Sequence, residues 1–431
     1  MRTVLRYSFT TLHRIGFINM KDYDCERKNK LHGIYVMIQH CILLSVICAH
    51  FLSMVTRAKR YLPELLQVVI EHTIAVSFYV VVFYANLKVP TLHVIQDYAD
   101  NIFSKADMKI VRKWNRRGKM AYFIIFVLCV GVVIANILEA IIPLSEKEVE
   151  IRRKVYQNSH PEKRHPLTVW LIFFDESVGW NYIAIFIWQL YYFVFLTFIG
   201  VGIMSTVPIC TFELEGQYEM LCQDLLLLGK RSVEEDMKIG KNTSENKRLG
   251  AIVSRISVRD EAQRREKIKE RHERQLLRHI VKTHHTLLDF QDKLTELLAP
   301  AIIALVLCTN ITFSLCLYQL FINLEEHSGI RFYKTFMLCI GAYMQFYLFC
   351  NCAERYEEFS RMVCRSITNC DWYKCTNETR RGILLILKRT QVTNYPAYYK
   401  GAFILNRLYA LSVAKLGYSF VNFMKLRTKM Q

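Results

Sequence analysis

Ser412, Lys415, Ser419 and Asn422 stand three, four and three residues apart near the C-terminus, so a helix carries all four on one face, continued by Leu426. Hydroxyl, ammonium and amide groups in such a row can hydrate and pass ions, since each offers a dipole or charge to a solute that has shed water. The other faces, with Phe403, Leu405, Leu408, Val413, Leu416, Phe420 and Met424, are apolar. An ionisable residue on an apolar helix faces protein or water, because exposing it to lipid is expensive. The row therefore reads as a buried polar contact within one subunit or as the wall of a water-filled path. Four polar positions in register favour the path.

Other groups able to do chemistry are sparse. Glu71, His72 and Glu139 are too scattered in sequence to make the site of an intramembrane hydrolase, and Glu71-His72 reads first as an interfacial or interhelical pair. His284-His285 has no carboxylate at metalloprotease spacing and is expected at the surface. The spacing of Cys364, Cys370 and Cys375 does not match paired zinc knuckles. No metal site, cofactor or catalytic residue is expected, and the chain does not read as an enzyme. Internal repeats with broken helices, a frequent mark of transporters, are not visible either.

The elements that must position these residues are apolar. Seven apolar runs occur at about 33–55, 65–87, 120–142, 182–209, 298–324, 332–352 and 402–424, each long enough to cross a bilayer as a helix. Lys and Arg collect in cytoplasmic segments. The N-terminal tail carries Arg2, Arg6, Arg14, Lys21, Arg27, Lys28 and Lys30, and the loop after the second run carries Lys105, Lys109, Arg112, Lys113, Arg116, Arg117 and Lys119. The loop after the first run has only Arg57, Lys59 and Arg60. The expectation is an all-α membrane protein of seven spans with the N-terminus inside and the C-terminus outside. That is the reverse of a G-protein-coupled receptor.

Composition agrees: 52% of residues are hydrophobic, 13% are aromatic, and the formal charge is +19. The excess charge sits beside the runs and suits anionic inner-leaflet lipid better than nucleic acid. Residues 1–24 show no cleavable signal peptide, so the first run is expected to direct insertion. The fourteen cysteines fall in the runs or in segments read as cytoplasmic, which argues against a disulfide framework.

The chain divides into a tail and four spans (1–209), a cytoplasmic loop with helical extensions (210–297), two spans (298–352), cytoplasmic helices (353–400) and a last span (401–431). Leu277, Ile280, Val281, Leu287, Leu288, Leu294 and Leu298 recur at helical spacing, which predicts a helix extending the fifth span and packing one face on protein. Residues 233–254 read as a loop, and Asn242 and Asn377 head glycosylation sequons on the cytoplasmic side. The outer connection 145–180 reads as a surface loop, with a lid over the spans as the alternative. Tyr395-Pro396 must break the chain before the last helix.

The C-terminal third resembles the insect odorant receptors. Phe349-Cys350-Asn351 is similar to that family's Phe-Gly-Asn, with Cys in place of Gly. Trp372-Tyr373 followed by Arg380, Leu384, Leu387, Arg389 and Gln391 resembles its Trp…Arg-x-x-x-Leu…Arg-x-Gln stretch, and Tyr418-Ser419-Phe420 its terminal Tyr-Ser-Tyr-Phe run. The resemblance implies a tetrameric, ligand-gated, non-selective cation channel in the plasma membrane of olfactory dendrites. It implies a pore lined by the last helix and a cytoplasmic anchor joining subunits. Phe423 and Leu426 fall on the family's gate and join Ser412, Lys415, Ser419 and Asn422 as expected pore residues. The basic ending with Lys415, Lys425 and Arg427 would repel cations if present four times around one pore. An odorant-tuning subunit among co-receptor subunits is therefore expected. A homomeric odorant channel and a gustatory-type subunit remain the alternatives.

With this topology a small volatile organic ligand sits between the outer halves of the spans. Candidate contacts are Thr73, Val76, Ser77, Ile134, Asn136, Phe186, Gln189, Leu190, Phe336, Cys339, Ile340 and Tyr343, with Asn136, Gln189 and Tyr343 setting polar selectivity.

Overall fold

The computed structural model describes residues 4–20, 25–103, 107–143, 146, 149–150, 153–154, 160–171, 175–230, 253–325, 329–392 and 405–430. Its ordered elements are helical: α1 (Val4–Ile15), α2 (Glu26–Thr56), α3 (Leu62–Leu87), α4 (Val89–Phe103), α5 (Met108–Ile141), α6 (Gly179–Leu227), α7 (Val253–Glu325), α8 (Gly329–Asn369), α9 (Asn377–Thr390) and α10 (Arg407–Met430). Local chemistry sets several starts. Pro63 stands in the first turn of α3, where its missing N–H costs nothing. Asp107 caps α5 by accepting the Lys109 N–H at 2.8 Å. Thr376 caps α9.

Among the described residues, six helices are long and apolar enough to cross a membrane. They are α2, α3, α5, α6, α7 and α8. The outward faces of α2 and α5 carry Leu31, Met37, Phe51, Met120, Phe123 and Val127, an apolar belt suited to lipid. The seventh expected span differs. α10 has 24 residues, about 36 Å of helix, but its polar row and basic end lower its mean hydropathy. Residues 402–404 of that run lie outside the described residues, as do most of the loop read at 233–254 and Asn242.

α7 runs unbroken through 73 residues despite Pro300, so the expected extension of the fifth span is present. Its Ile280, Leu287, Phe290 and Leu294 are buried in one core with Tyr218, Leu221 and Leu225 of α6, Phe359, Val363 and Ile367 of α8, and Ile383 and Ile386 of α9. The Tyr218 and Phe359 rings stack at 4.9 Å, and the Tyr218 hydroxyl meets the Gln291 Oε1 at 3.0 Å. Two expectations are corrected here. Val281 is exposed, because it stands just off the packed face, whereas His284 is buried on that face rather than at the surface.

The amphipathic helix α1 and helix α4 were not legible as elements. α1 lays Phe9 and Leu12 against the bundle, and Leu12 approaches α6 at Gly202, where a Cβ would come within 2.7 Å of it. Gly16, at φ +89°, closes α1 in the left-handed region, and the next N–H returns to the Leu12 carbonyl at 3.0 Å.

α10 docks on α7 and α8 through Ala410, Val413, Gly417 and Phe420. Phe420 meets Tyr318 ring to edge at 6.3 Å, and Tyr409 meets Phe346 at 5.6 Å. A Cβ at Gly417 would lie 2.8 Å from Leu317 and 3.1 Å from Phe313, so only glycine permits this approach. The start of α10 is held by Arg407, whose Nε and Nη2 donate to the Asn351 Oδ1 at 3.1 and 2.9 Å.

Candidate functional site

A cavity lies among α3, α5, α6, α7 and α8. Ile74, Phe78, Val132, Leu196, Leu305 and Leu338 supply most of its apolar wall, and Ser77, Thr309, Thr312 and Gln345 its polar points. A second, smaller cavity shares Ile74, Val132, Val133, Leu196 and Leu338 with it and reaches toward the end of the bundle away from the N-terminus. There His50, Glu71, Asn136 and Tyr192 join an otherwise apolar lining. Mostly apolar walls with a few polar groups are the usual lining of sites for small organic molecules. A third cavity lies beneath α1 at the opposite end. Its wall is almost wholly apolar, and its Tyr84 hydroxyl is already committed to the Leu297 carbonyl at 3.1 Å. It offers nothing to orient a ligand.

A buried ionic cluster roofs the polar end. Lys334 Nζ lies 2.5 Å from both Glu71 Oε1 and Glu139 Oε2. Arg164 pairs with Glu139, and Arg331 pairs with Glu64. Gln67 Nε2 donates to Glu71 at 3.1 Å and to Glu139 at 3.2 Å. All three carboxylates and all three cations are buried, so their charges cancel without help from solvent. Burial, with Arg331 close by, pulls the Arg164 guanidinium down to about 9, which leaves it charged at neutral pH. Glu71 and Glu139, scattered in sequence, thus meet on one ammonium group, but as a neutralised cluster rather than a metal site.

The cluster reaches across three helices and a loop. The described part of the connection between α5 and α6 folds back over the bundle, burying Arg164, His165, Leu167 and Val169. Gln189 pins it: its Oε1 accepts the Leu167 N–H and its Nε2 donates to the Leu167 carbonyl, each at 2.9 Å. His165 Nε2 meets the Glu176 carbonyl at 2.9 Å, the Trp170 N–H donates to the Ala49 carbonyl at 3.2 Å, and Arg57 pairs with Glu176. The segment is a seated lid and not a plain surface loop. Paired charges and an amide clamp hold it where solvated loop residues would not.

Of the ligand contacts expected from sequence, Ser77 lines the larger cavity and Asn136 the smaller. The others do not line either. Gln189 has both amide atoms engaged by the lid. Ile134 and Phe336 point outward, and the Tyr343 ring packs on Phe313 at 5.2 Å. Cys339 is buried in the core with Leu338, and the Phe186 ring lies 6.0 Å from Tyr182. Thr73 donates to the Val69 carbonyl at 2.8 Å, and Val76, Leu190 and Ile340 are half-buried off the cavities. Sequence reading missed Thr309, Thr312, Gln345 and His50. Polar residues inside the fifth, sixth and first runs were the available signal.

On α10, Ser412, Lys415, Ser419, Phe423 and Leu426 are exposed on the face turned away from the bundle, and Asn422 is half-buried beside it. Phe420, on a face read from sequence as merely apolar, turns toward α7, because the small side of α10 at Gly417 sets its docking face, and Met424 is half-buried. Lys425 lies over the Phe321 ring at 4.1 Å, which draws its charge toward its own subunit. Phe349 and Cys350 are buried in the core, whereas Trp372, Tyr373, Leu384 and Leu385 are exposed together with Val392. Arg380 reaches back to the Cys375 carbonyl at 2.9 Å and the Tyr373 carbonyl at 2.6 Å and shapes the turn before α9.

Residues 104–406 match the family model described as 7tm Odorant receptor. A 122-residue stretch is 30% identical to Odorant receptor 22c of Drosophila melanogaster and spans 27% of this chain and 29% of that protein. The fold is similar to the solved olfactory receptor OR5 of Machilis hrabei. With eugenol bound, that structure gives a TM-score of 0.72 at 11% identity and covers 98% of this chain and 97% of its own. A second structure of the same receptor gives 0.65 at 11% identity, covering 97% of this chain and 98% of its own.

Proposed function

This chain belongs to the 7tm odorant receptor family, a multi-pass membrane family of receptors rather than enzymes, and from that premise we propose that it is the odorant-tuning subunit of a ligand-gated cation channel. One observation carries the reading. α7 presents Leu305, Cys308, Thr309 and Thr312 to the cavity and, one turn on, Phe313 and Leu317 to Gly417 of α10. A ligand that shifts this stretch of α7 shifts α10 with it, since close-packed helices move as units. α10 in turn carries the polar row on its outward face, where subunits around an axis would line a path. The eugenol complex of the Machilis receptor is a volatile-ligand precedent on the same fold.

Assembly is supported by the exposed Trp372, Tyr373, Leu384 and Leu385 at the α9 end and by Leu408, Leu411, Leu416 and Tyr418 on α10, apolar groups a monomer would leave to solvent or lipid. In this arrangement the N-terminus is cytoplasmic, the C-terminus external, α10 the seventh span, and the α6–α9 core the cytoplasmic anchor. Four outward copies of Lys415 would oppose cation entry, and one among three co-receptor subunits is tolerable. The family match favours the odorant over the gustatory reading. Whole-cell recording tests the proposal. Odorant-evoked cation current is expected when the chain is expressed with a co-receptor, at the plasma membrane and not without it. Equal current from the chain alone would establish a homomeric channel instead.

A further inference from the structure

Three polar groups, on His50, Asn136 and Tyr192, join Glu71 in the otherwise apolar wall of the smaller cavity. His50 is 3% exposed and holds its Nε2 3.4 Å from Glu71 Oε2. In the neutral ring, a proton on Nε2 faces that carboxylate and leaves Nδ1 as an acceptor. Glu71 Oε1 already takes Lys334 at 2.5 Å and Gln67 at 3.1 Å. Asn136, also 3% exposed, donates its Nδ2 to the Val132 carbonyl at 2.8 Å. That carbonyl can only accept, which fixes the orientation of the amide and leaves Asn136 Oδ1 to the cavity. Among the described residues no donor reaches His50 Nδ1 or Asn136 Oδ1. The third polar group, the buried Tyr192 hydroxyl, can donate or accept.

We propose that this cavity selects odorants bearing a hydroxyl group, alcohols or phenols, over the aldehydes and ethers of the same skeleton. The inference rests on reading the joined cavities as the odorant site. A ligand O–H donates to His50 Nδ1 or Asn136 Oδ1 and accepts from Tyr192, while the hydrocarbon body lies along Ile74, Val132, Leu196 and Leu338. A carbonyl or ether brings acceptors alone. It pairs at most with Tyr192 and leaves both buried acceptors dry, a mismatch that costs roughly ten- to hundredfold in affinity.

The test is a set of linear, branched, cyclic and aromatic alcohols, each paired with its aldehyde or methyl ether. The probes are applied to cells co-expressing the chain and a co-receptor, with currents normalised to surface protein. Alcohols are expected to activate at concentrations about tenfold or more below their partners. That ratio should shrink in Asn136→Leu, which leaves the ionic cluster untouched, and approach one in Asn136→Leu with His50→Phe. Carbonyl or ether members acting at lower concentrations than their alcohols, silence of every alcohol, or an unchanged ratio in Asn136→Leu would overturn the proposal. Ala342→Trp, which fills the larger cavity, separates the two layers of the argument. If it silences all responses while Asn136→Leu keeps the ratio, the odorant site stands and hydroxyl selection falls. If responses survive it, the site itself is elsewhere.

Discussion

Lys334→Met should remove most of the receptor from the cell surface. The substitution keeps the length of the side chain and deletes one charge, leaving Glu71 and Glu139 buried against a methyl group instead of an ammonium 2.5 Å away. Breaking a buried ion pair from one side costs about 3–5 kcal/mol. That is a large part of the roughly 5–15 kcal/mol that separates a folded domain from its unfolded chain. Adding Glu71→Gln should recover much of the loss, because Glu139 keeps Arg164 and the charges cancel again. Surface biotinylation and detergent thermal stability read both variants. Wild-type surface levels in Lys334→Met would mean that the cluster is solvated in the membrane and holds nothing together.

Ala342→Trp should shift odorant activation by at least a hundredfold while leaving surface protein near the wild-type level. Ala342 lines the larger cavity, so an indole enters empty space and not packed core, and the usual penalty of overpacking is small. The space it takes is the space the ligand needs. Phe123→Trp, on the exposed belt of α5, is the control and should leave the concentration–response curve in place. A shift of equal size in both variants would point to general damage, and no shift in Ala342→Trp would move the ligand elsewhere.

The residues differ in how plainly the sequence announced their places. Apolar run length reveals a helix that must be buried or in lipid, and the repeat of Ile280, Leu287 and Leu294 reveals which side of α7 meets protein. Helical period fixes a face but not what stands opposite it. Gln189 and Tyr343 were therefore legible as polar groups on inner faces, while their engagement with Leu167 and Phe313 was not. The ionic cluster was hidden for the same reason. Glu64 and Arg331 lie 267 residues apart in the chain, and each alone looks like a charge at a helix end. The lid was legible only as an alternative to a surface loop, because its hold depends on Arg164 reaching Glu139 through space. For α10, the polar row was legible as a row. Its direction came from Gly417, whose missing side chain lets that side of the helix close on Phe313 and Leu317 and turns the row outward.

State-dependent modification along α10 tests the central claim, that an odorant held in the cavity opens a path along that outward face. Ser419→Cys and Leu426→Cys, each co-expressed with a co-receptor, are exposed to a thiol reagent from outside with and without odorant. Phe420→Cys, packed on Tyr318, serves as the inward-facing comparison. The account predicts block at 419 and 426 that is several times faster with odorant present, and none at 420. Equal rates on both faces, or modification at 419 and 426 that leaves the current unchanged, would contradict it.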